Sequence, residues 1–179
     1  MSKLPVGRKD YVSTYSGAEF NIQTCDVMPI PMSDVAHALS MNCRYNGHVN
    51  KFYSVAEHCV IISNLVPEED ALWGLLHDAT EAFVPDIPRP FKPFIKGFKE
   101  YEQRISDAFA ERFGLSKQQP ESVHYMDRNI VHDEALELFP EPPTWVELYE
   151  SVGAGDMIKC LTPEKAEKAY NERLEALIW

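Results

Sequence analysis

Beyond position 33, apolar residues recur at three- and four-residue intervals, a spacing that predicts helices. Ser33 is expected to cap a first helix carrying Val35, Ala36 and Leu39, which ends near Asn42–Asn46 before Gly47. Ser54-Val-Ala-Glu57 reads as a capping box that opens a second helix through Val66, stopped by Pro67. A third helix is expected from about Glu69 to Phe83, with Leu72, Trp73, Leu75, Leu76, Ala79 and Ala82 apolar. Further helices are expected over 94–113 and 121–139, split by Gly114 and Pro120, and over 164–179.

The exceptions to this pattern are informative. Over residues 10–31, Tyr11, Val12, Tyr15, Phe20 and Ile22 flank Ser16-Gly17, which admits a short β-hairpin. Between Val84 and Pro93 four prolines fall within nine residues, a density that forbids helix and central strand alike and predicts a stiff irregular loop. Pro140, Pro142 and Pro143 break the chain again. No repeat, low-complexity tract or Gly/Ser linker divides the sequence. The expected fold is an all-α compact helical bundle with room for an N-terminal hairpin, in one domain over 1–179.

Composition narrows the function classes. The 179 residues fit one domain with a real core. Seventeen Lys and Arg against 28 Asp and Glu give a net charge of −11, which argues against long nucleic acid as a partner. The charge is uneven, however: Arg89, Lys92, Lys96, Lys99 and Arg104 place five cations in sixteen residues. A small phosphorylated ligand therefore stays compatible with the acidic total. The cysteines at 25, 43, 59 and 160 are far apart and form no CxxC, as expected in a reducing compartment. Residues 1–10 carry charges with no apolar stretch behind them, and the longest nearly apolar run, Val60–Val66, is too short to span a bilayer. A cytoplasmic protein with no membrane partner is expected.

The third predicted helix contains Leu75-Leu-His77-Asp78-Ala-Thr-Glu81. A carboxylate in an apolar helix is disfavoured unless it is paired or binds a metal. Glu81 lies four residues after His77 and three after Asp78, on their face of the helix. His58 is flanked by Val55, Ala56, Cys59, Val60 and Ile61, which points it inward. Asp127 sits on a stripe with Val123, Ile130 and Val131. Each residue alone has an ordinary structural explanation. Together, two imidazoles and two carboxylates from three helices form an N/O set for a divalent ion, with positions left for water. His132-Asp133, a second pair on the Asp127 helix, has no spaced partner upstream and is expected to lie outside the set.

The order His58, His77-Asp78, Asp127 resembles the HD superfamily of metal-dependent phosphohydrolases. The closer match is the branch of bacterial 5′-deoxynucleotidases and small phage dNTP triphosphohydrolases, including those specific for dATP. The matching segments are Cys43-Arg-Tyr-Asn-Gly-His48, Tyr53-Ser-Val-Ala-Glu-His58, His77-Asp-Ala-Thr-Glu81, the Asp86–Lys92 loop and Asp127-Arg-Asn-Ile-Val-His-Asp-Glu134. They cover residues 33–139. Two departures are the nineteen-residue interval between His58 and His77 and the presence of Tyr45 where tryptophan is common.

The resemblance implies that His58, His77, Asp78 and Asp127 hold a divalent ion, be it Zn, Co, Mn or Mg. It implies Glu81 as general base and Arg44 and Lys92, with Arg89 beside them, as phosphate-facing cations. Asp86 is expected to read the sugar or, alternatively, to contact a second metal, and Tyr45 and Pro90 to flank the base. The implied activity is hydrolysis of phosphate groups from deoxynucleotides. The RYNGH and AHALS segments look more like the phage-type proteins, which places dNTPs, with dATP first, ahead of deoxynucleoside monophosphates. The other readings are a hydrolase of another phosphoester and a catalytically silent nucleotide-binding module. A homo-oligomer is expected, as in relatives, with the apolar end of the last helix available for an interface.

Overall fold

The computed structural model describes residues 10–88 and 90–179. The reading of residues 1–9 as lacking an apolar leader, and the role expected for Arg89, fall outside them. Strands β1 (Tyr11–Ser13) and β2 (Glu19–Asn21) pair antiparallel around the Ser16-Gly17 turn. The hairpin is pinned to helix α1 (Met32–Met41) by the Asp34 carboxylate, which accepts from Thr14 Oγ1 and from the Ser16 amide and hydroxyl. The other helices are α2 (Val55–Leu65), α3 (Ala71–Leu76), α4 (Phe98–Phe113), α5 (Glu121–Leu138) and α6 (Pro163–Ile178). The fold is all-α with one small hairpin. None of the described helices is long and apolar enough to cross a membrane.

Two apolar clusters flank α2. Its Val55, Ala56 and Cys59 join a cluster with α1, α3, α4, α6 and the hairpin. Its Ile61 and Ile62 join a second, with Tyr53, Trp73, Val123, Ile130 and Leu138. Helix α2 is thereby packed on opposite sides and fixed in place.

Several local details depart from the sequence reading. Helix α1 begins at Met32, with Pro31 in the cap position, so Ser33 lies inside the first turn and caps nothing. Proline's fixed φ and the Pro31 carbonyl, which accepts from the Asp34 amide, start the helix instead. Ser54 does cap α2, its hydroxyl accepting from the Glu57 amide. The Glu57 carboxylate does not return to Ser54, however. It accepts from the amides of Lys159 and Leu161, both at 2.7 Å, and ties the segment before α6 to α2. Gly114 closes α4 in a left-handed conformation (φ 66°), with the Leu115 amide donating to Ala110.

The third predicted helix is not continuous. A 3-10 turn (Glu68–Asp70) leads into α3, which stops at Leu76, and a second 3-10 turn follows over Ala79–Ala82. The interruption falls on His77 and Asp78. Here the His77 Nδ1–H donates to the Gly74 carbonyl (2.8 Å) and the Tyr170 hydroxyl to the Leu75 carbonyl (3.1 Å). Side chains thus satisfy carbonyls at the end of α3, and the chain is free to turn.

Candidate metal and substrate site

Breaking the helix at the HD pair has a direct chemical result. On a regular helix, adjacent side chains diverge by about 100°. Here Asp78 has φ −104° and ψ 15°, and its Oδ2 comes within 3.2 Å of His77 Nε2. Gly74 brings α3 against α2: a Cβ there would lie 3.0 Å from Ser63 Cα and 3.1 Å from Val66 Cγ2. This close approach sets His58 Nε2 3.2 Å from His77 Nε2. Asp127, from α5, places Oδ1 3.5 Å from His58 Nε2 and 3.8 Å from His77 Nε2.

The tautomers decide what these four atoms are. His77 Nδ1–H donates to the Gly74 carbonyl, and His58 Nδ1–H donates to Glu134 Oε1 at 2.6 Å. Both Nε2 atoms therefore turn lone pairs towards each other and towards two carboxylates. Such a group favours a positive charge at its centre. Asp78 holds the His77 imidazole well above its usual range, against burial. His77, His58 and Arg44 in turn hold the Asp78 carboxyl well below the usual range despite its burial. Metal–ligand bonds of about 2.0–2.2 Å put neighbouring donor atoms about 3.0–3.6 Å apart, close to the separations observed. All four donors lie within 4.8 Å of one another, so the set could hold one divalent ion. The imidazoles are the buried side, with side chains 0% and 2% exposed, against 22% and 21% for Asp78 and Asp127.

Glu134 is the residue that sequence reasoning passed over. It is fully buried, and besides His58 its carboxylate accepts from the hydroxyls of Tyr53 and Tyr45 and from Arg44 Nη2 (3.3 Å). Burial opposes its charge, but Arg44 and His58 outweigh that and lower its pKa to about 2. The signal for it was present: Glu134 lies seven residues, two turns, after Asp127, among Ile130, Val131, Ala135 and Leu138. Asp133 has a separate task. It accepts from the Ser151 hydroxyl and from the amides of Val152 and Ala154, and so is engaged with the 151–154 segment.

A cavity of about 530 Å³ opens over this group. Arg44, Asp78, Glu81 and Asp127 line its floor, and Asp86, Pro90 and Lys92, from the proline-rich stretch, its lip. Tyr45 forms part of another wall. Apart from Arg89, the residues assigned from the sequence line the cavity or, as with His58 and His77, belong to the four-residue group behind it. Arg44 is buried, reaches Asp78 Oδ2 at 3.4 Å, and leaves its Nε–H without a partner among the described residues. Glu81 Oε2 is a matching orphan acceptor. Burial holds the Glu81 carboxyl well above the carboxylate range, with Asp78 and Asp86 adding to the effect and Arg44 and Lys92 opposing it. Lys92 donates to Glu102 Oε1 (2.9 Å), so α4 holds its ammonium at the lip. His48 lines the cavity from an exposed position. His37 pairs with Glu167 away from it, and His124 is exposed on α5.

No family model matches the chain. It is similar to the uncharacterized protein YfdR of Escherichia coli K12, with 34% identity over 169 residues that cover 93% of this chain and 95% of that protein. It is also similar to an uncharacterized protein of Rhodobacter capsulatus, with 36% identity over 110 residues, 56% of each.

Proposed function

The chain belongs to the family of Escherichia coli YfdR, and we propose that its activity is metal-dependent hydrolysis of phosphate groups from deoxynucleotides. The observation that carries the reading is the convergence of His58, His77, Asp78 and Asp127 within 4.8 Å of one another, beneath a cavity lined also by Arg44, Glu81 and Lys92. The order of these residues resembles the HD phosphohydrolases. A dNTP is the first substrate, with dATP at its head, and a deoxynucleoside monophosphate is the alternative.

When bound, a divalent ion supplies Lewis acidity and charge neutralisation at the phosphoryl group. Glu81, in its ionised form, takes the proton of the attacking water as that water adds to phosphorus, and returns it to the ester oxygen as that oxygen departs. Arg44, which lines the cavity, turns its guanidinium charge towards a phosphoryl oxygen, and Lys92 adds charge from the lip. Asp86 accepts from a sugar hydroxyl. A small anion in a sheltered cavity accords with a surface whose net charge is −11. The four free thiols accord with a cytoplasmic, reducing setting. A homo-oligomer is part of the proposal, with exposed Leu148, Ile178 and Trp179 available to an interface.

Product analysis after incubation with each dNTP, dNMP and rNTP under Mg²⁺, Mn²⁺, Co²⁺ and Zn²⁺ tests the reading. Release of triphosphate or phosphate from deoxynucleotides is expected, and it is abolished in a His77→Ala, Asp78→Ala variant. No turnover of any nucleotide with any ion overturns the proposal.

A further inference from the structure

The proposed hydrolysis makes no use of the cavity wall formed by the chain after α5. Phe139, Trp145 and Tyr149 line it together with Tyr45. Their rings meet edge to face in sequence: Tyr45–Phe139 at 5.2 Å and 82°, Phe139–Trp145 at 6.0 Å and 88°, Trp145–Tyr149 at 6.1 Å and 85°. An edge-to-face contact covers one face of one ring at most, so the chain of rings leaves faces that its own members do not cover. Trp145 and Tyr149 belong to neither apolar cluster, although tryptophan is the largest apolar surface a sequence can offer a core. Their aromatic area faces the cavity instead.

The wall is also held in register with the ion ligands. Pro143 precedes a 3-10 turn over Thr144–Leu148, whose Val146 is buried and anchors it. The turn is then tied back to α5, the helix that carries Asp127. The Glu150 amide donates to Asn129 Oδ1 (3.2 Å), and the amides of Val152 and Ala154 donate to Asp133 Oδ2 (both 2.9 Å). Asn129 and Asp133 are buried on that helix. Contacts run from Asp78 to Arg44, to Tyr45 through the shared Glu134 carboxylate, and on through Phe139 to Trp145. One end of the cavity is thus charged and the other aromatic.

We infer that Trp145, supported by Phe139 and Tyr149, is a stacking platform for a flat ring carried by the substrate. The inference rests on reading the charged end as a phosphoester site, and it makes the ring the nucleobase. Stacking accepts any base, because each has a π face. Selectivity at this wall is therefore for the presence of a ring and for its size, purine above pyrimidine, more than for a hydrogen-bonding pattern.

Calorimetric titration of the full chain in a Glu81→Gln background, which prevents turnover, tests this with two probes. Deoxyadenosine 5′-monophosphate carries the ring, and 2-deoxyribose 5-phosphate lacks it. Trp145→Leu keeps apolar bulk without a ring, and Trp145→Phe keeps a ring. The leucine variant is expected to weaken the nucleotide about ten-fold or more, the scale of base–aromatic stacking, with the ring-free phosphate unchanged. The phenylalanine variant should retain most of the affinity. Equal nucleotide binding by the two variants, an equal loss of the ring-free phosphate, or no binding of the nucleotide by the Glu81→Gln chain overturns the platform. Turnover that persists with a KM insensitive to Trp145 removes the platform and leaves the hydrolase reading intact. Ring-dependent binding in a chain that hydrolyses no nucleotide removes the hydrolase reading and leaves the platform.

Discussion

Glu134 Oε1 accepts the Nδ1–H of His58 at 2.6 Å, and this one bond fixes which nitrogen of His58 faces the other ligands. A ligand histidine held this way is oriented and made more basic by its partner. Glu134→Gln keeps the shape and removes the charge. It is expected to lower affinity for Mn²⁺ or Zn²⁺ about 10–100-fold. Glu134→Ala also removes the fully buried one of the two carboxylates paired with Arg44, and is expected to destabilise the fold by about 3–5 kcal/mol. Titration of the ion and urea unfolding check the two parts. Wild-type affinity in the glutamine variant would show that His58 needs no charged partner.

Glu81 separates binding from turnover. Its Oε2 has no partner among the described residues, and it belongs to none of the pairs that hold the ion ligands in place. Glu81→Gln is expected to retain the ion and to lose about 10²–10⁴ in kcat. Ion titration beside initial rates on the best deoxynucleotide decides it, and unchanged turnover removes the general-base role.

Gly74 tests whether helix spacing controls the site. Alanine is the better helix former by about 1 kcal/mol, yet here its Cβ would meet the Ser63 backbone and Val66. Gly74→Ala is expected to destabilise by about 1–3 kcal/mol, as overpacking does. Thermal melting should fall by about 2–4 °C per kcal/mol. Since α2 carries His58 and His77 follows α3, ion affinity should fall with it. A melting temperature at or above wild type would show that the two helices accommodate the methyl group.

Two aspartates outside the site set an acid limit. Burial opposes the charge of Asp133, but donors from Ser151, Ala154, His132 and Val152 outweigh it and keep its carboxyl below the usual range. Asp34 is likewise lowered, with Thr14 and Ser16 outweighing burial. A carboxyl depressed on folding contributes stability that is present above its unfolded pKa of about 3.9 and lost as pH falls through the lower folded value. Stability from these groups should hold down to about pH 4 and decline below it. Urea unfolding of wild type and Asp133→Asn at pH 5.5 and 3.5 checks this: the variant should lose less between the two. Parallel losses would assign the acid sensitivity elsewhere.

Much of this arrangement was legible in the residues because it is local or periodic. The Ser54 cap, the apolar stripe around Asp127 and the inward placement of His58 follow from spacing within a single helix. The interruption at His77-Asp78 was not legible, because it depends on Tyr170, 92 residues further on, and on the Gly74 carbonyl that the His77 ring itself takes. Glu57 looked like the second half of a capping box, yet its partners are backbone amides more than 100 residues away. Glu134 and Asp133 stand side by side and serve different ends, one orienting His58 and the other holding the 151–154 segment. A sequence pattern shows that a carboxylate is buried. It does not show which donors converge on it.

The buried imidazoles and the part-exposed carboxylates also set the order in which a cation would be captured. An ion entering through the cavity would meet Asp78 and Asp127 before the nitrogens beneath, and would leave past the same two carboxylates. Loading and ligand entry would then share one doorway. A molecule seated in the cavity would act as a stopper, lengthening the residence of an ion below it, and metal exchange would be slowest while the cavity is occupied.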